Sequence, residues 1–332
     1  MTMAMFSLII FALVMMTTMM TNFATLSVGD EASAGWHVRA DASNTNPIND
    51  FETALRDRGV DMDGIRATGM MTTPNPVASH VRIAGTALWK NQVIYGMDAD
   101  FIRDSRLAFQ QRAAGYESDA AVIDALLTEP DVVVSDSFSI QDEDYGGGEE
   151  GFALTGITAG DKIFSPIPVE LEDPRTGLPR PARIIAIIDS RISFWGLYTA
   201  RTTVDRIYPE PAARSYYLAL EDPDDAARIA REVESVLLTN GVQATSIRDE
   251  QIEEQGWYTG ILTIMMSFFG LGLVVGIAAV GVVAFRAVVE RRQRIGMLRA
   301  LGFQRSLISL VFLIESGGRS SRWRFSSSPD LS

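Results

Sequence analysis

Residues 256–302 read GWYTGILTIMMSFFGLGLVVGIAAVGVVAF followed by RAVVERRQRIGMLRALG, a run without charge as far as Phe285 and then a helix-compatible segment dense in arginine. Thirty uncharged residues in helical form would measure about 45 Å. That exceeds the ~30 Å hydrocarbon core of a bilayer, so the run can span with some tilt. Trp257 and Tyr258 stand at its start, where amphipathic rings favour the interface. The arginines that follow predict, by the positive-inside bias, that the segment from Arg286 is cytoplasmic and that the chain before Gly256 lies on the other side. Within the span, Gly272 and Gly276 form a G-x-x-x-G pair, a spacing that lets two helices approach closely in lipid.

Working outward, Met1–Leu26 is also free of charge. It lacks the basic n-region of a secretory signal, and its apolar stretch is longer than a signal requires, so it reads as an uncleaved first span. Its methionines read as adaptable lipid-facing or packing residues. Between the two runs, residues 27–255 carry 39 acidic and 20 basic side chains, a surplus that disfavours nucleic acid as a partner because it would repel phosphate. Lys90 and Lys162 are the only lysines. Scarce lysine with high acidity fits either a surface adapted to concentrated salt or codon bias with an acidic surface. Cysteine is absent, which excludes disulfides and thiolate metal sites.

The arginine segment also carries a motif. Glu290, Arg291, Arg292, Ile295, Gly296, Leu298, Arg299, Ala300, Leu301 and Gly302 spell E-R-R-x-x-I-G-x-L-R-A-L-G directly after an apolar span. This resembles the FtsX/MacB-like permeases of ABC transport systems. The resemblance implies a non-catalytic permease subunit whose cytoplasmic segment lies against a separate ABC ATPase. It assigns the ATPase-coupling role to Glu290, Arg291, Arg292, Ile295, Gly296, Leu298, Arg299, Ala300 and Gly302. Local spacing adds an expected Glu290–Arg294 pair at i,i+4, and a close backbone contact or turn at the two glycines.

Residues 27–255 are too many for a connecting loop and must fold. Trp36–Asp41 alternates like a strand, Asn46–Arg58 reads as a helix with a proline near its start and Gly59 at its end, and Ile65–Met71 is extended. Near the other end, Ser215–Leu220 is strand-like. Pro223 and Asp224 open a helix with apolar residues at 226, 229, 230, 233, 236 and 237, Asn240-Gly241 ends it, and Val242–Ile247 is extended. Between these units, Val132–Val134, Lys162–Phe164 and Arg183–Ile188 are short apolar runs that predict a mainly β centre. The predicted fold is a membrane protein with α-helical spans and an α+β extracytoplasmic domain, in which two strand–helix–strand units flank a β-rich insert. That arrangement resembles the MacB-type outer domain, and Thr155–Ile163, TGITAGDKI, resembles a glycine-aspartate turn of its insert.

A search for chemistry yields little. His37 and His80 stand apart from any motif, and each reads as a surface or satisfied core residue. Neither a zinc-protease pattern nor a nucleophile elbow occurs. Asp142–Glu150 fails the calcium-loop spacing, with glycine and alanine where ligands belong, and reads as a solvated loop tip. No cofactor or metal is expected. Neither lysine lies in a Walker loop, so any ATP that drives this chain is bound by another polypeptide.

These readings divide the chain into a first span (1–26), an outer domain (27–255), a second span (256–285), an ATPase-coupling segment (286–305), the start of an incomplete third span (306–316) and a tail without apolar periodicity (317–332). The family has later spans, so the chain is expected to be a truncated piece of a multi-pass permease in the cell membrane. Its expected partners are an ABC ATPase, membrane lipid and a second protomer. The alternatives are a bitopic sensor or scaffold whose outer domain binds a ligand, and a membrane-anchored hydrolase.

Overall fold

The computed structural model describes residues 29–43, 46, 48, 50–75, 77–140, 152–208 and 211–300, together with positions 7, 10–12, 14, 15, 17 and 18, which are helical. Two compact units emerge, one of residues 19–260 and one of residues 1–18 with 261–332.

In the first unit, β1 (Val38–Ser43), α1 (Phe51–Asp57) and β2 (Ile65–Pro74) form one strand–helix–strand unit. A second comprises β11 (Pro211–Leu220), α5 (Ala226–Leu237) and β12 (Gln243–Ser246). The two interleave. The strand order is β2–β11–β1–β12, and every neighbouring pair is antiparallel, Val38 facing Leu218 on one side and Ser246 on the other. This is the split β-α-β topology of ferredoxin-like folds. Period-two alternation explains the layers. Val38, Ala40, Ala42, Tyr216, Leu218 and Ala244 are buried with the apolar stripe of α5, Ile229, Val233 and Leu237. Phe51 of α1 stacks on Tyr216 at 4.2 Å. On β11, Tyr217 and Ala219 point the other way, into a second core around Trp36 and Phe101.

Predicted and observed elements agree in kind and differ at their ends. The helix expected from Asn46 starts at Phe51, because Asp50 caps it by accepting from the Thr53 N–H at 2.9 Å. Gly59 and Gly241 do end their helices, at φ +84° and +67°. Pro223–Asp225 is a 3-10 turn before α5 proper.

The long segment between β2 and β11 holds β3 (Ala78–Ile83), β4 (Lys90–Met97), β5 (Phe109–Ala113), β6 (Val132–Ser135), β7 (Ile163–Phe164), β8 (Ile167–Glu172), β9 (Pro179–Ile188) and β10 (Leu197–Ala200). The pairing path β4–β3–β8–β9–β6–β10 closes on itself through a parallel β10–β4 pair. Closure leaves these six strands without a free edge. β6 and the end of β9 are buried throughout, which is why they read as apolar runs with no alternation. The centre is mainly β, as expected, and also contains three helices not read from the sequence, α2 (Ala99–Asp104), α3 (Asp119–Thr128) and α4 (Arg201–Ile207). α2 and α3 are set by side-chain caps, Asp98 to the Phe101 N–H and Ser118 to the Ala121 N–H. The glycine-aspartate turn is present: Asp161 accepts from the Thr158 N–H and hydroxyl at 2.8 and 3.0 Å.

After β12 the chain enters α6 (Ile247–Ala300). Among the described residues this is the one helix long and apolar enough to cross a membrane, judged by length and composition. The expected first span lies largely outside the described residues. So do the Asp142–Glu150 loop, the apolar run from Leu307 and the tail.

Candidate functional site

The sequence points to the far end of α6, but the structure anchors the start of that helix better. Ser246 Oγ accepts from the Asp249 N–H at 3.3 Å. The Ile247 N–H donates to the His37 carbonyl at 2.9 Å. Gln251 Oε1 accepts from the Gly29 N–H at 3.1 Å, Glu250 pairs with Arg39 at 2.8 Å, and Arg248 pairs with Asp224 at 3.0 Å. The first turns of the helix are thus tied to β1, to the turn at residues 29–36 and to the turn before α5.

His37 sits within this knot and is almost fully buried. Its Nδ1 accepts from the Leu220 N–H at 2.8 Å, which fixes the proton on Nε2. Nε2 faces Asp30 at 3.4 Å. Burial pushes the imidazole below its ordinary value of 6.5; the Asp30 carboxylate raises it in part, and the Arg66 and Arg106 guanidinium groups add to the lowering. Of the two histidines, His37 is therefore the core residue, while His80 lies exposed on β3 against Glu172 of β8.

Toward the far end of α6, Arg286 Nε donates to Glu290 Oε1 at 2.9 Å. The expected partner of Glu290 was Arg294, whose side chain lies outside the described set, as do those of Arg291, Ile295, Leu298, Arg299 and Ala300, although all of these are helical in backbone. Arg292 is exposed. The helix runs through Gly296, where an added Cβ would meet no atom of the described residues within 4 Å. Gly302 lies outside the described residues. Gly272 is likewise open and Gly276 half-buried.

A feature that sequence reading missed lies in the closed ring. Asp136, buried at the end of β6, accepts from the Ser139 N–H and hydroxyl at 2.7 and 2.8 Å and from the Gly196 N–H. Its own N–H donates to the Gly196 carbonyl at 3.0 Å. This carboxylate clamps two loops so that Phe138 and Trp195 stack at 4.3 Å, although 61% and 62% exposed. The signal was available: Phe194-Trp195-Gly196 places two aromatics and a glycine in a turn. A shallow groove of about 350 Å³ runs between α5, β12 and α6, with Ala230 and Ala244 on its floor and Arg231, Asp249 and Glu253 on its walls. Among the described residues no group of histidines and carboxylates could hold a metal ion.

No protein-family model matches the chain, and no curated protein matches it. Among solved structures, it is similar to the periplasmic region of MacB from Actinobacillus actinomycetemcomitans at 13% identity, covering 69% of this chain and 96% of that one, with a TM-score of 0.39. It is also similar to the extracellular domain of the noncanonic ABC-type transporter YknZ from Gram-positive bacteria at 12% identity, covering 64% of this chain and 99% of that one, with a TM-score of 0.36.

Proposed function

We propose that this chain is a permease-type subunit of an ABC transport system, with residues 27–255 outside the membrane and the segment from Arg286 at its inner face. A separate ATPase would meet Glu290, Arg291, Arg292, Ile295, Gly296, Leu298, Arg299, Ala300 and Gly302, and ATP hydrolysis would move the outer domain. The observation that carries this reading is α6 itself. One helix contains the turns anchored to β1, an uncharged stretch long enough to span, and the arginine motif as far as Ala300. Mechanical coupling would need no catalytic side chain in this chain.

Orientation is tested with single cysteines, since the native chain has none. Ala87→Cys on the exposed β3–β4 turn should react with an impermeant maleimide in intact cells, whereas Gln293→Cys should react only after permeabilisation. Equal labelling of both would sink the topology. Arg299→Glu should weaken ATPase co-purification about thirtyfold or more while membrane insertion is kept, the loss of a desolvated charge contact being worth about 2 kcal/mol or more. The exposed Phe138–Trp195 pair favours a second reading, a bitopic sensor or scaffold whose outer domain binds a partner. Under that reading Arg299→Glu would leave the outer domain's binding unchanged.

A further inference from the structure

The ring and backbone of His37 together join β11 and the turn at residues 29–36 to the start of α6. Its N–H donates to the Leu218 carbonyl, its carbonyl accepts from the Ile247 N–H, and its Nδ1 accepts from the Leu220 N–H. The far side of the ring is closed by Asp30, which also faces Arg106 at 3.5 Å. We infer that His37 is a proton-operated latch: the neutral ring holds the end of β11 and the first residue of α6 to β1, and a second proton on Nδ1 loosens both.

The physical reason is donor against donor. A protonated Nδ1 would present an N–H to the Leu220 N–H, and neither group can accept. The ring cannot simply turn away, since it is buried and faces Asp30 on its other nitrogen. Displacement therefore falls on the His37 backbone, which carries the bonds to Leu218 and Ile247. The charged surroundings are few. Asp30 favours the cation, while Arg66 on β2 and Arg106 after α2 oppose it. On β1, Arg39 is already engaged with Asp41 and Glu250. β11 offers the ring backbone only, and α6 brings the neutral Gln251, bonded to Gly29. Burial, aided by the two cations, outweighs the one carboxylate and makes protonation costly, so the latch opens only in acid. A domain facing an acidified outer medium would loosen at the root of its long helix. This inference concerns the fold around β1 and is independent of any ATPase.

The test uses the whole chain in nanodiscs, with His80→Asn as background so that one imidazole remains. Amide protection at Leu220 and Ile247, corrected for intrinsic exchange, should be constant above pH ~7 and fall by up to about tenfold per pH unit below ~6.5. His37→Asn keeps an acceptor near Nδ1 and cannot titrate, so its protection should be flat across the same range. Unchanged protection in the parent, or the same fall in His37→Asn, would overturn the latch. Should His37→Asn fail to fold, the 15N imidazole spectrum of the parent decides. An Nε2–H tautomer titrating below 6.5 supports the latch; an Nδ1–H tautomer, or titration at or above 6.5, refutes it.

Discussion

At the scale of single residues, two glycines show how closely the cores are fitted. A Cβ at Gly69 on β2 would lie 2.7 Å from Phe101 Cα and 2.9 Å from Trp36 Cη2. Backbone cannot yield as a flexible side chain would, so Gly69→Ala should destabilise the folded unit of residues 19–260 by about 1–3 kcal/mol, read as a lower urea midpoint at unchanged slope. Gly196 is constrained twice, by a φ of +118° and by the Val93 carbonyl 2.7 Å from any Cβ. Asp136→Ala removes the acceptor of three donors, and each donor left buried without a partner costs about 1–3 kcal/mol. That variant should also separate Phe138 from Trp195, which would appear as a change in near-UV circular dichroism. A normal urea midpoint in Asp136→Ala would contradict the clamp.

At the scale of elements, the helix α5 owes its place to one apolar stripe. Val233 and Leu237 are fully buried in it, so Leu237→Ala should cost about 2–5 kcal/mol. Ser118→Ala removes the cap of α3 and should cost about 1 kcal/mol, a difference large enough to separate packing from capping in the same denaturation assay. Most of these elements were legible in advance. The α5 stripe follows the 3.6-residue period and β9 is a bare apolar run, and both signals are local. α2, α3 and α4 are not read from the sequence, nor are β3, β4, β5, β8 and β10; α2 and α4 have six and seven residues, too few turns for a period to show, and α3 carries apolar residues at seven of its ten positions, so that no single stripe stands out. α4 has, in addition, no side-chain cap.

At the scale of the whole molecule, charge sets the response to solution conditions. Residues 27–255 carry 39 carboxylates against 20 basic groups, so self-repulsion destabilises the compact state and screening relieves it. Its melting temperature should therefore rise between 50 mM and 500 mM salt, and a flat profile would count against the repulsion. Acid acts in two windows. His37 is held below 6.5 when folded, so its contribution is fully present above that value and declines as pH falls through and below it. Hydrogen bonds from Arg191 hold the Asp189 carboxyl below the usual carboxylate range, so its contribution is present above about 4 and is lost as pH falls further.

By itself, the sequence determined the uncharged stretch, the arginine motif that follows it and the two strand–helix–strand units, because periodicity, capping and charge are properties of neighbouring residues. The tertiary structure alone decided that the two units interleave as β2–β11–β1–β12, that six strands close into a ring, and that Asp136 draws two loops together. It also placed His37 at the root of α6. Each of these depends on register between residues far apart, as where Val38 meets Leu218, and a one-residue slip would turn every side chain to the opposite face. No local pattern carries that information.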